Sequence, residues 1–117
     1  EVLWVHNKEG ACLEAAVPRP ADIGTKTKPY CDTDPAVEDA GKGNKRVVLL
    51  LGPEAATEVA ASVTGKPVVL VGRAGANIVP GARVGIRVNA GELHVRGVKI
   101  SGSTTTGVVV EAAGTLV

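Results

Sequence analysis

The sequence predicts an all-β fold made of repeated short strands, and the stretch from 67 to 117 carries most of the evidence. Short β-branched runs alternate there with glycine-rich breaks, and no helical period is present. Segment 85–95 also aligns with segment 107–117, with one extra residue in the second copy, so that the leading glycines are 22 positions apart. Repeats of about 20 to 25 residues built from strands and turns are typical of a solenoid.

The composition fits a narrow core of stacked aliphatic side chains. Hydrophobic residues make up 44% of the 117 residues, but there is no Phe or Met, and only one Trp and one Tyr. Val, Ala, Leu and Ile must therefore fill the interior. Fifteen glycines and seven prolines suit a chain with many tight corners.

The charge balance excludes some classes of partner. Thirteen basic and 12 acidic residues give a net charge of +1, which argues against binding to nucleic acid or an anionic membrane by bulk electrostatics. No apolar run approaches the roughly 18 residues that a membrane span requires. The pattern predicts neither a metal site nor a cofactor. A signal peptide is not part of the sequence, so any export signal or lipoprotein anchor is expected to lie outside this chain.

Residues 1–46 are interpreted as an N-terminal cap and residues 47–117 as coils of the solenoid. The cap combines a strand at 2–5, a loop over 9–28 and a short helix. Asp34 is the expected N-cap of that helix, Pro35 suits its first position, and Gly41 suits its end. The residues expected to form its buried face are Ala36, Val37 and Ala40.

Two cysteines, Cys12 and Cys31, lie in the cap. A disulfide between them would close a loop of about 20 residues and stabilise the fold by about 3 kcal/mol. Two independent thiols are the alternative, whereas a metal site is disfavoured because no CxxC pattern exists and His6 is distant in sequence from His94. A disulfide would indicate an oxidising, extracytoplasmic compartment.

Trp4 has two candidate roles. It can cap the open end of the aliphatic core, or it can form a stacking platform for a sugar ring. Its aliphatic neighbours in the sequence favour the cap.

Alternation assigns the faces of the strands that follow. The segment 47–51 is continuously apolar, as expected of a strand buried on both faces, and 59–63 is read as the next strand. Further along, the in/out phase changes at the corner formed by Arg96 and Gly97. The residues expected to face inward are Val84, Ile86, Val88, Leu93, Val95, Val98 and Ile100.

Several motifs along the chain occur together in one known family: Trp4-Val5-x-Asn7, Pro29-Tyr30-Cys31, "SVTGKPVVLVG" from Ser62 and "HVRGVKISGS" from His94. With these motifs the chain resembles the right-handed parallel β-helix proteins of the pectin-lyase-like superfamily, which include exported bacterial surface proteins and lipoproteins. The resemblance implies a right-handed parallel β-helix whose first coil is capped by an N-terminal helix. Family members usually carry more coils, so the chain is expected to be part of a longer protein.

An apolar, uncapped strand at Thr115-Leu116-Val117 leads to a further expectation. Such a strand leaves a row of backbone groups unpaired at the edge of the stack. We therefore expect self-association through this open end.

The carboxylates of the coils do not form a catalytic pattern. Enzymes of this superfamily cleave acidic polysaccharides with clustered Asp, or with Asp and a cation, on one face. A hydrolase needs two carboxyl groups at one glycosidic bond, and a lyase needs a base together with charge stabilisation. Only Glu92 and Glu111 occur between 67 and 117, and both are interpreted as exposed turn charges.

Outward-facing basic residues are the better candidate site. Stacked coils can bring such cations onto one face suited to an anionic polysaccharide, although outward charges also serve solubility alone. The candidate residues are Arg73, Arg87, His94, Arg96 and Lys99, together with Arg83.

The predicted function is a non-catalytic, exported domain of the bacterial cell surface that is structural or interacts with carbohydrate. The alternative is the N-terminal part of a polysaccharide lyase or glycoside hydrolase whose catalytic coils lie outside this chain. Self-assembly through the open end is compatible with either interpretation.

Overall fold

The computed structural model describes residues 2–6, 23–43, 46–51, 53–55, 59–73, 75–79, 84–101 and 107–117, and these are mostly β-strands in parallel sheets. The strands are β1 (Val2–Val5), β2 (Val47–Leu50), β3 (Pro53–Ala55), β4 (Val59–Ser62), β5 (Val68–Gly72), β6 (Asn77–Val79), β7 (Ile86–Arg96), β8 (Lys99–Ile100) and β9 (Val108–Leu116); one helix, α1, spans Thr33–Lys42. The fold is therefore mostly β, as predicted. That helix, with its 10 residues, is too short to cross a membrane, and the described part of the chain has no other.

All named strand pairs are parallel and fall into two sheets. The larger sheet runs β1-β2-β5-β7-β4, with β9 also paired to β7, and the smaller runs β3-β6-β8. Strand β7 joins two parts of the larger sheet, because its first half pairs with β4 and its second half with β5. Strand β3 was not predicted from the sequence, whereas β4 confirms the strand predicted at 59–63.

The structure pairs the two segments that the sequence aligns as repeats. Ile86 lies opposite Val108 and Leu93 opposite Leu116, so the register between β7 and β9 changes from 22 to 23 positions. The change falls between Val88 and Ala90, where β9 carries the one extra residue of the second copy. Strands β2 and β5 are also offset by 22 positions, since Val47 lies opposite Val69.

The core is aliphatic, as the composition predicts. Val84, Ile86, Val88 and Leu93 are buried, and Val95, Val98 and Ile100 pack against the core with part of their surface exposed. In β2 only Val48 and Leu50 are fully buried, while Val47 and Leu49 are half-buried. The prediction that this strand is fully buried on both faces is therefore wrong for its outer face.

Tyr30, rather than Trp4, is the aromatic side chain in the core. Leu3 and Val5 of β1 are buried, and alternation along the strand puts the half-buried Trp4 on the opposite face. The predicted role of Trp4 as a cap over the core is wrong for this reason. Its ring instead has the Lys26 Nζ 5.9 Å from its centroid. Tyr30 is 1% exposed, and its hydroxyl donates to the Asp39 carboxylate of α1.

Residues 23–30 cover the outer edge of β1. The backbone N–H of Trp4 donates to the Gly24 carbonyl at 2.8 Å, and the N–H of Tyr30 donates to the Trp4 carbonyl at 2.9 Å. The N–H of His6 then donates to the carbonyl of Tyr30 at 2.9 Å. The backbone groups on this edge of the sheet are thus already paired within the chain.

Helix α1 packs on β4 through the face that the sequence predicted. Ala36, Val37 and Ala40 are fully buried. The predicted cap is wrong, because Asp32 occupies the N-cap position and Asp34 lies in the first turn. The Oδ1 of Asp34 accepts a hydrogen bond from the backbone N–H of Ala60 in β4 at 2.8 Å. The predicted end at Gly41 is early, since the helix continues to Lys42.

Arg46 ties the end of α1 to the turn between β4 and β5. Its Nη1 donates to the carbonyls of Ala40 (3.4 Å), Thr64 (3.2 Å) and Lys66 (3.0 Å). Sequence analysis gave no role to Arg46, because all three acceptors are backbone atoms and two of them are distant in the chain.

Cys31 is buried and disulfide-bonded. Cys12, the other cysteine of the chain, lies outside the described residues, so the pairing of Cys12 with Cys31 stays a prediction.

Gly91 forms the corner of β7 between its two halves. Its φ of +75° lies in the left-handed region, and a Cβ atom there would collide with the carbonyl oxygen and side chain of Val63. Gly75 has a similar φ of +85°, but nothing lies within 4 Å of the position a Cβ would take. A substitution at Gly75 would therefore cause backbone strain alone, whereas one at Gly91 would add a steric clash with Val63.

We expect Gly91→Ala to lower the free energy of unfolding by about 2–4 kcal/mol, because it adds a close contact to the strain of a positive φ. Gly75→Ala should cost only the strain, about 1–2 kcal/mol. Urea unfolding followed by circular dichroism measures both values. Equal losses for the two variants would contradict the close approach of Gly91 to Val63.

Removing the carboxylate of Asp34 leaves the N–H of Ala60 without this acceptor. We expect Asp34→Ala to lower the free energy of unfolding by about 1–3 kcal/mol. Asp34→Asn keeps an oxygen acceptor of the same size and should lose less than Asp34→Ala. Equal losses of unfolding free energy in the two variants would contradict a stabilising role for the hydrogen bond between Asp34 and β4.

Candidate functional site

Three of the predicted cations lie at one corner of the stacked strands. Arg73 directly follows β5, Arg96 ends β7, and Lys99 begins β8. Because Val71 lies opposite Arg96 and Asn77 opposite Lys99, the segment that follows β5 and the segment that joins β7 to β8 lie side by side. Paired strands are about 4.8 Å apart, so the three side chains originate within a short distance of one another. We call Arg73, Arg96 and Lys99 the cation corner.

The backbone of the cation corner is held tightly to neighbouring segments of the chain. A Cβ atom added to Gly72 would collide with the carbonyl oxygen of Gly97, so the two segments meet here backbone against backbone. The N–H of Arg73 donates to the Leu50 carbonyl at 3.0 Å, and the N–H of Lys99 donates to the Ala76 carbonyl at 3.1 Å. These contacts fix the backbone positions of Arg73 and Lys99, while the side chains of both residues are exposed to solvent.

The cation corner carries uncompensated positive charge. Arg73, Arg96 and Lys99 are all exposed. Within the residues that the structure describes, none of the three side chains has a hydrogen-bond or ion-pair partner. Exposed guanidinium groups at fixed positions are suited to bidentate contacts with carboxylate or sulfate groups of a ligand.

Arg87 lies away from the cation corner and is already paired. It belongs to the first half of β7, opposite Ala60 and Val109, and its Nη1 lies 2.7 Å from Glu111 Oε1. The structure therefore separates Arg87 from the other predicted cations. Arg83 lies outside the described residues.

His94 lies on the same strand face as Arg96, two residues before it. Its Nε2 is 3.4 Å from Glu92 Oε1, yet this buried atom makes no hydrogen bond within the described part of the chain. The geometry is therefore a close contact rather than an aligned hydrogen bond. With 26% of its side chain exposed, His94 borders the cation corner but does not project from it as freely as Arg96 does.

An apolar row leads from the cation corner across the outer face of the larger sheet. The register places Trp4 opposite Leu49, Leu49 opposite Val71, and Val71 opposite Arg96. Trp4, Leu49 and Val71 are half-buried on this face. Sequence analysis missed this row. The signal that could have revealed it is the absence of polar residues at alternate positions in three strands, VLWV, VVLL and VVLVG.

Two acidic residues of the described strands, Glu92 and Glu111, are next to basic side chains rather than next to each other. Glu111 contacts Arg87, and Glu92 lies beside His94. Among the described residues, no group of three His, Cys, Asp or Glu side chains is placed to hold a metal ion. The chemistry available at this face is therefore electrostatic recognition by cations and apolar contact.

Comparison of the chain with protein-family models, with curated proteins and with solved structures finds no match.

Proposed function

We propose that this chain is a right-handed parallel β-helix domain that binds an anionic polysaccharide at the cation corner without cleaving it. The resemblance of the sequence to exported bacterial surface proteins suggests that it does so at a cell surface. The observation that carries the proposal is a set of three exposed cations, Arg73, Arg96 and Lys99, that lie close together and have no ion-pair partner among the residues that the structure describes.

The order in which the chain visits the sheets supports the β-helix. From β2 onward the chain passes through one part of the larger sheet, then the smaller sheet, then the other part of the larger sheet, the two parts being joined by β7. That cycle is β2-β3-β4, then β5-β6 and the first half of β7, and then the second half of β7, β8 and the first half of β9. Parallel pairing between successive cycles is what a β-helix requires.

An extended polyanion fits the cation corner better than a small anion does. The three cations originate from strands that stack along one direction, so they present a short line of positive charge rather than a closed cavity. A uronic-acid polysaccharide carries carboxylates at regular intervals along its length and can engage such a line at several points. The adjoining row of Trp4, Leu49 and Val71 offers apolar surface on which sugar rings can pack.

The surroundings of the carboxylates support binding rather than cleavage. A hydrolase needs two carboxyl groups directed at one bond. Glu92 and Glu111 each lie beside a different basic side chain, and the cation corner itself contains no acidic residue. The disulfide at Cys31 supports an oxidising compartment, as expected of an exported protein.

Neutralising two cations of the corner tests the proposal. We expect the wild-type chain to be retarded in native affinity electrophoresis by polygalacturonate and not by neutral dextran, with retardation that falls as salt rises. Arg73→Gln combined with Arg96→Gln should weaken binding at least tenfold, because it removes both guanidinium groups.

The control is Lys42→Gln combined with Lys66→Gln, which removes the same charge from exposed positions outside the corner. Both double variants change the net charge from +1 to −1, so a difference between them reports position rather than overall charge. Equal loss of binding in the two variants, or no binding by the wild-type chain, would refute the proposed site.

A further inference from the structure

The apolar row that begins at the cation corner ends beside a further exposed cation. Trp4 lies at the far end of the row, and the Nζ of Lys26 is 5.9 Å from the centroid of its ring. Lys26 is exposed, and its side chain has no hydrogen-bond or ion-pair partner within the described part of the chain. An ammonium group held over an indole ring keeps its charge while its position is restricted. The row therefore has uncompensated positive charge at both ends.

On the two strands between these ends, every outward side chain is apolar. Val47 and Leu49 are the outward residues of β2, and Val69 and Val71 are those of β5. All four are half-buried, so each keeps part of its surface in contact with solvent. Side chains two residues apart on one strand are separated by about 7 Å, so each strand presents an apolar step that is wide enough for a sugar ring.

The length of the row determines which ligands can reach both ends. Trp4 on β1 is separated from Arg96 on β7 by strands β2 and β5, which makes a distance of about 14 Å between their backbones. This distance exceeds the Debye length of about 8 Å at physiological ionic strength, so a small anion meets the two charged ends as separate sites. An extended chain of (1→4)-linked uronic acids advances by nearly one strand spacing per sugar, so about four sugars cover the row.

We propose that Lys26, held by Trp4, is a second anion-binding position, and that an acidic polysaccharide lies across the strands with carboxylates at the cation corner and at Lys26. This site rests on the proposed function, and it defines the direction of the ligand and the shortest chain that binds fully. Two weak contacts joined by one ligand bind it more tightly than either does alone, because the second forms at a high effective concentration. Lys26 contacts the ligand, whereas Trp4 is a positioning residue that restricts the ammonium group.

Calorimetric titration of the 117-residue chain at low salt with galacturonate oligomers of defined length tests the second position. The wild-type chain should bind the hexamer at least tenfold more tightly than the dimer, which is too short to join the two ends. Lys26→Gln should weaken hexamer binding about threefold and leave dimer binding unchanged, because the cation corner is intact. The control Lys66→Gln removes the same charge from an exposed position outside the row, and it should bind both oligomers as the wild-type chain does.

The role of Trp4 is tested by fluorescence and by two substitutions. Trp4 is the only tryptophan of the chain, so hexamer binding should change the tryptophan emission with the affinity that calorimetry gives. Trp4→Phe keeps an aromatic ring for Lys26 and should retain most of the hexamer affinity. Trp4→Leu keeps only apolar surface and should lose about as much affinity for the hexamer as Lys26→Gln does, with dimer binding unchanged. Equal hexamer binding by the two Trp4 variants would contradict the positioning role.

These measurements distinguish failure of the second position from failure of the cation corner. Hexamer binding that is weakened by Arg73→Gln combined with Arg96→Gln, but is the same in Lys26→Gln as in the wild-type chain, would overturn the second position alone. Hexamer binding without any change in tryptophan emission would do the same. A wild-type chain that binds no hexamer would overturn both proposals.

Discussion

The structure depends on one constraint, which is that the backbone of each described strand must hydrogen-bond to a parallel neighbour that is distant in the sequence. Parallel strands satisfy this on the flat faces, but the corners must also approach closely. At the corner formed by Gly72 and Gly97 the approach leaves no room for a Cβ atom. At the corner of β7, Gly91 combines the same lack of room with a positive φ. The aliphatic interior follows from the distance between paired strands. At about 4.8 Å, Val, Ile and Leu side chains of neighbouring strands stack in contact with one another.

The same constraint determines where function is available. The inner rows of side chains fill the core, so the side chains that remain for contact with a ligand are those on the outside. The proposed binding site at the cation corner consists of such outward side chains, which lie close together because β5 pairs with β7 and β6 with β8.

The sequence predicted the features that arise from local periodicity. Alternation identified the inner row of Ile86, Val88 and Leu93, and spacings of three and four identified the buried face of α1. The sequence-based predictions were wrong where the role of a residue depends on a contact with a group that is distant in the chain. Asp34 resembles an N-cap from its neighbours, but it accepts a hydrogen bond from Ala60, 26 residues away. Trp4 lies in a strand that is apolar throughout, so alternation alone could not fix which face it occupies.

The candidate site was predictable only in part for the same reason. The residue types of the cation corner were evident from the sequence, but their grouping was not. It follows from the pairing of β5 with β7 and of β6 with β8, which brings Arg73 to the corner and leaves Arg87 on another face. The apolar row beside the corner likewise emerges only when three strands are placed in register.

The hydrogen bonds of Arg46 have a consequence for cooperativity. This side chain bridges the C-terminal end of α1 and the turn that precedes β5, while β1 pairs with β2 and α1 packs on β4. Opening the N-terminal segment would thus break the pairing of β1 with β2 and the packing of α1 on β4 together, and loss of β4 would remove the surface on which the helix is stable. Short helices such as α1 have little stability of their own. Residues on both sides of position 46 should accordingly unfold in a single thermodynamic transition.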